Sequence, residues 1–175
     1  MFRRAFREWR VRRAFARDGI DAVAMALATA PEGHGALLRR YGATVAADAV
    51  IAGPLHLVNA GGSFANLTIG AGAVLGPEVH LDLTAPVTIG AGAVLEPRSA
   101  LVTGARAAGL RPGTFPERPV VVGPGARVGT GATIVGAAIG AGAVIDPHAL
   151  VTAGVAAGAH VTWHEAADLA VVRSR

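Results

Sequence analysis

Seven residues recur almost unchanged three times in this chain: IGAGAVL from Ile69, IGAGAVL from Ile89 and IGAGAVI from Ile139. Extending the register puts an aliphatic side chain at every sixth place: Ile69, Leu75, Leu81, then Ile89, Leu95 and Leu101. After a break it resumes at Val122, Val128, Ile134, then Ile139, Ile145 and Val151. Four places after most of these sits a small residue, as at Ala73, Ala93, Ser99, Ala126, Ala132, Ala138 and Ala143. Self-similarity at a fixed short period is the signature of a solenoid, in which each repeat buries its apolar face only against its neighbours.

A period of six has a direct reading in strand geometry. Side chains alternate along a strand, so residues i and i+4 share a face. The large aliphatic and the small residue then both point inward, and Gly, Ala, Pro and Asp fill the corners. Three such strands close a triangular coil, and coils stack about 4.8 Å apart, which places residues eighteen apart above one another. A Gly/Ala-rich low-complexity segment would not hold its aliphatics in phase. The predicted class is an all-β solenoid, with short N-terminal helices and an extruded loop.

Composition agrees. Apolar residues make up 52% of the chain but aromatic ones only 5%, as suits a thin core with room for aliphatics and alanines rather than rings. There is no cysteine, which excludes disulfides and thiolate metal sites. No apolar run approaches the roughly 20 residues of a membrane-spanning helix. All 16 basic residues are arginine, and seven lie in the first 17 positions against the single acid Glu8. The remaining nine arginines face eleven acids, so the body is slightly acidic and is not shaped for nucleic acid.

Along the chain, residues 1–42 read as an Arg-rich helical segment, 43–162 as the coil and 163–175 as a closing segment over its end. A first helix over 2–17 carries Phe2, Ala5, Phe6, Trp9 and Ala16 on one stripe. It reads either as a membrane-surface helix on anionic lipid or, preferably, as a helix packed on the coil or on a neighbouring subunit. Arg12-Arg13-Ala14-Phe15 looks like a twin-arginine export signal, but Asp18 and Asp21 interrupt the stretch that should be apolar, so a cytoplasmic location is expected. Further helices are expected over 22–30, capped by Asp21, and over 36–41, stopped by Gly42. The coil is expected to start near Val45.

Three irregularities break the period and locate function better than the repeats do. Leu81 to Ile89 spans eight residues, so a corner bulges at 83–86. Leu101 to Val122 spans 21, and 103–119 reads as an extruded loop. Ile134 to Ile139 spans five, a tightened corner. Counting walls, Thr84 in the bulge and Gly104 at the loop root share one edge, one coil apart, and insertions gathered on one edge of a solenoid mark its binding face.

The order PVTIG, a break with a long loop, PVVVGPGARVGTGATI and then IGAGAVIDPHALVT resembles the hexapeptide-repeat acyltransferases, in particular their maltose, galactoside and antibiotic O-acetyltransferase branch. The resemblance covers about two thirds of the chain. It implies a left-handed parallel β-helix, a homotrimer, acetyl-CoA or another acyl-CoA as cofactor, no metal, and a small-molecule acceptor that is sugar-like or a natural product. In that family the loop root reads Thr-His, and the histidine is the general base. Here the root is Thr103-Gly104, so the base is missing; the glycine is either that loss or a demand for positive φ. The family's aromatic near the pantetheine arm corresponds to Arg127, its Gly-Ala-Gly to Asp146-Pro147-His148, and its Thr-Lys to Thr152-Ala153. The resemblance thus implies coenzyme contacts at Arg127, Thr130, Gly131, Ala132 and Thr152.

A relocated base is the alternative. His80 and Asp82 lie two apart on one strand, both directed outward beside the bulge, with Cβ atoms roughly 7 Å apart. They are the candidate catalytic pair. His148 stands at another corner and His56 on another wall. His160 and His164 are four apart but lack a third ligand, which argues against the three-histidine zinc site of the related γ-type carbonic anhydrases. Two functions remain: a CoA-dependent acyltransferase with altered chemistry, or a trimeric scaffold, binding or regulatory subunit that has kept the coil and lost catalysis.

Overall fold

The computed structural model describes residues 11–29, 33–104 and 116–163. Among the described residues sixteen short strands form three parallel sheets that the chain visits in rotation as far as Leu150–Val151; a single bridge at Val155 then stands in for a sheet A strand before His160–Val161. Sheet A holds β1 (Thr44–Val45), β4 (Leu67–Ile69), β7 (Val87–Ile89), β10 (Val120–Val122) and β13 (Ala138–Ile139). Sheet B holds β2 (Val50–Ile51), β5 (Val74–Leu75), β8 (Val94–Leu95), β11 (Arg127–Val128), β14 (Val144–Ile145) and β16 (His160–Val161). Sheet C holds β3 (Leu55–Val58), β6 (Val79–Asp82), β9 (Ala100–Val102), β12 (Thr133–Val135) and β15 (Leu150–Val151).

The aliphatic columns read from the period are the core. Ile69, Ile89, Val122 and Ile139 stack in register inside sheet A, and Leu81, Leu101, Ile134 and Val151 inside sheet C. All are buried, as are Ala73, Ala93, Ala126, Ala132 and Ala143 four places after their partners. Corners demand small residues because successive coils nearly touch there: a Cβ on Gly90 would lie 2.6 Å from the Pro124 nitrogen. Gly92, in the adjoining turn, has φ +65°, which only glycine adopts without strain.

Coil lengths depart from eighteen throughout. Val45 pairs with Ile69, 24 residues on, and Ile69 with Ile89, 20 on. Ile89 pairs with Val122, 33 on; Val122 with Ile139, 17 on; and Ile139 bridges Val155, 16 on. Two expectations change as a result. The five-residue step from Ile134 turns Ala137 inward and leaves Ala138 exposed, since one missing residue reverses the alternation. The surplus in the first coil brings His56 onto the same wall as His80, directly paired with it, rather than onto another wall.

The open end of the first coil is covered by helices. Residues 11–18 are helical; α1 (Ile20–Thr29) and α2 (His34–Arg40) follow. Asp21 lies inside the first turn of α1 rather than capping it. Val11, Ile20, Val23, Leu27, Leu37 and Leu38 join one core cluster with Leu55, Leu57 and Val45. His34 is buried, with Nε2 3.1 Å from the Leu27 carbonyl, tying α2 to α1. Gly42, at φ 106°, stops α2 as expected. Phe15 lies against Tyr41, ring centroids 4.7 Å apart. Residues 2–10 of the expected first helix, 105–115 of the expected loop and the expected closing segment 164–175, with His164, fall outside the described residues.

Candidate functional site

The edge between sheets C and A carries the surplus residues of three successive coils. In the first coil the chain turns through Asn59–Phe64, in the second it bulges over Leu83–Pro86, and in the third the loop leaves at Gly104 and re-enters at Arg118. One side chain joins all three. Asp82 is fully buried at the end of β6. Its Oδ1 accepts from Asn59 Nδ2 (2.9 Å), the Thr84 amide (3.1 Å) and Thr84 Oγ1 (2.6 Å). Its Oδ2 accepts from the amides of Thr103 (3.0 Å) and Gly104 (2.8 Å), with Thr103 Oγ1 at 3.1 Å. Thr103 Oγ1 in turn accepts from the Ala85 amide, and the Thr103 carbonyl accepts from the Arg118 amide, closing the loop root. Burial by itself would raise the Asp82 carboxyl, but the hydrogen bonds from Thr84, Asn59 and the Thr84 and Thr103 amides outweigh it and hold the group below the usual carboxylate range.

This corrects the expected outward direction of Asp82. Asp82 is covered by the bulge and the loop root rather than directed into solvent, and its acceptor sites are filled by donors from three coils. No hydrogen bond joins it to His80 among the described residues. The imidazole stands half-buried on the outer face of β6 beside His56. Burial first, then the neighbouring His56, push its pKa below the ordinary histidine value, and Asp82 opposes only in part. Near neutrality His80 therefore carries a free lone pair, the form a general base needs.

Gly104 is not in the left-handed region, so positive φ is not its reason. A Cβ there would meet Thr84 Cγ2 at 3.0 Å and Thr84 Cβ at 3.2 Å. Glycine fits because the Thr84 side chain, held by Asp82, occupies the space.

The residues implied as coenzyme contacts divide into two places. Arg127 on β11 and Thr130 meet on one carboxylate: Arg127 Nε donates to Glu96 Oε1 at 2.7 Å with its Nη2 also on that oxygen, and the Thr130 amide and hydroxyl donate to Oε2 at 2.9 and 2.8 Å. The Thr130 hydroxyl lowers the Glu96 pKa most; Arg127 adds to it, so its charge is already answered. Gly131, at φ +68°, lies under the His148 ring. Ala132 is a core residue with no exposed surface. Thr152 is exposed just after β15, at the other end of the sheet C strands. His160 pairs with Asp146 at 2.7 Å on the same corner as Arg127 and Thr130, in the coils beyond them. Asn59 and Glu96 were missed by sequence reasoning, because their partners lie 23 and 34 residues away and only the true coil lengths bring them together.

No family model matches the chain, and no curated protein matches it. Solved structures do. The fold is the left-handed parallel β-helix of the hexapeptide-repeat acetyltransferases. A hexapeptide-repeat-containing acetyltransferase from Vibrio cholerae superposes with a TM-score of 0.69 at 18% identity, covering 87% of each chain. A structure of that acetyltransferase complexed with acetyl coenzyme A, from Vibrio cholerae O1 biovar eltor, gives 0.63 at 20% identity over 85% of this chain and 86% of that one. A maltose O-acetyltransferase from Clostridium difficile 630 gives 0.64 at 18% identity, covering 81% and 78%.

Proposed function

We propose that this chain is a CoA-dependent acyltransferase with altered active-site chemistry, acting as a homotrimer on a hydroxyl or amine of a small sugar-like or natural-product acceptor. The observation that carries the reading is the built edge between sheets C and A. A buried carboxylate stitches three coils together at the loop root, with the half-buried His80 two residues from that carboxylate. The structural neighbours that share the fold include acetyltransferases, one complexed with acetyl coenzyme A. In the proposed step His80 takes the proton of the acceptor as its oxygen or nitrogen attacks the thioester carbonyl; the C–S bond then breaks and the CoA thiolate leaves, taking up a proton.

The second reading, a catalytically silent scaffold or binding subunit, is favoured by two particulars: Gly104 carries no base, and Arg127 is spent on Glu96 rather than left for a phosphate. One set of measurements separates the two. If the enzyme reading holds, His80→Ala lowers acyl transfer by ~10²–10⁴-fold with the fold intact. Activity also rises with pH, with a midpoint below the usual imidazole pKa of about 6.5. CoA at a hundred times its dissociation constant adds about 2.7 kcal/mol of stability, seen as a raised melting temperature. An inactive wild type with no CoA shift would leave the scaffold.

A further inference from the structure

The 24-residue first coil sets His56 directly beside His80 on neighbouring parallel strands, β3 and β6. Leu55, Leu57, Val79 and Leu81 fill the interior, so alternation turns both imidazoles to the outer face of sheet C. Both rings are half-buried, and neither is hydrogen-bonded to another described residue. Asp82, two residues along the strand from His80, is committed to the loop root. On the far side of His80 the paired residue is Ala100, which puts nothing larger than a methyl group beside the ring.

Adjacent strands lie about 4.8 Å apart. Two nitrogens on one tetrahedral zinc, each at about 2.0–2.1 Å, are about 3.3 Å from one another. Rings rooted on paired positions close that gap by side-chain rotation alone, with no backbone movement. We propose that His56 and His80 form a two-imidazole site for a divalent transition-metal ion, zinc, nickel or copper(II), with water completing the shell. Imidazole suits these ions, whereas magnesium and calcium prefer oxygen ligands. No three metal-ligating side chains converge among the described residues, so the site is an exchangeable one on a finished sheet rather than a staple of the fold. The inference does not rest on acyl transfer, since it is read without substrate.

Calorimetric titration of the full chain with zinc chloride tests it. One equivalent per chain is expected, with His56→Ala and His80→Ala each weakening binding at least tenfold. The double variant should be no weaker than the weaker single one, because one ligand alone does not chelate. His160→Ala serves as the control, since the His160–Asp146 pair is the competing surface chelate. Zinc binding lost in His160→Ala but kept in the other two overturns the proposal. So does a wild type that binds no better than the double variant. His56→Gln and His80→Gln, which keep side-chain bulk, cover the case in which an alanine variant unfolds. Copper(II) electron paramagnetic resonance gives a second readout: two equivalent nitrogen couplings support the pair, and a single nitrogen sinks it.

Discussion

Asp82 shows how much a single side chain can organise. A carboxylate offers about four acceptor directions, and here both oxygens are claimed by side-chain and backbone donors from three coils. Removing it strands the Thr103 and Gly104 amides, and each buried orphan costs about 1–3 kcal/mol. Asp82→Asn should be nearly as damaging, because its amide group turns a donor toward donors; urea unfolding and protease sensitivity at the loop root read both. The folded pKa is depressed, so the stabilisation is complete above the unfolded value of about 3.9 and lost as pH falls through the lower folded value. Melting temperature should therefore drop in acid for the wild type and be flatter in Asp82→Asn. Gly104→His is governed by Thr84. The substitution alone should cost about 1–3 kcal/mol through overpacking. Adding Thr84→Ser, which removes the Cγ2 at 3.0 Å but keeps the hydroxyl on Asp82, should recover much of it.

At the scale of the element, the coil is held by close approach at its corners and by one aliphatic per wall inside. The strands are two to four residues long, too short to persist alone, so each depends on the strands above and below it in its sheet. Gly90→Ala would push a Cβ to within 2.6 Å of the Pro124 nitrogen, a backbone atom that cannot swing away. It should lower the melting temperature clearly, whereas Gly61→Ala, with open space around it, should act through its positive φ alone and cost about 1 kcal/mol. Comparing the two in one thermal series separates corner crowding from backbone strain. The helices work differently: α1 and α2 set Val23, Leu27, Leu37 and Leu38 over the first coil, covering an end that the repeats cannot cover themselves.

For the whole molecule, the outward column of sheet B is mainly valine, with Arg127 and His160 the polar members. Val50, Val74 and Val144 are exposed in the single chain, and Arg127 with its Glu96 partner interrupts them. The proposed trimer would bury such surface. Sedimentation at micromolar concentration should give three times the 17.5 kDa of one chain, independent of added CoA. A monomer under those conditions counts against a site shared between subunits. Among the described residues no helix is long and apolar enough to cross a membrane.

Periodicity alone determined the solenoid, its inward columns of large aliphatics, the corner glycines and the edge that gathers the insertions, because a six-residue repeat of aliphatic and small side chains admits one burial pattern wherever the step stays at six. Register across coils was decided only by the tertiary structure. Whether His56 or another residue lies beside His80 depends on how many residues a corner absorbs, and the turn through Asn59–Phe64 carries no repeat by which to count them. The burial of Asp82 was hidden for the same reason. Its donors, Asn59 and Gly104, lie 23 and 22 residues away along the chain and become neighbours only when the coils stack. Local alternation sets which way a side chain points; what closes over it is set by the coil above and the coil below.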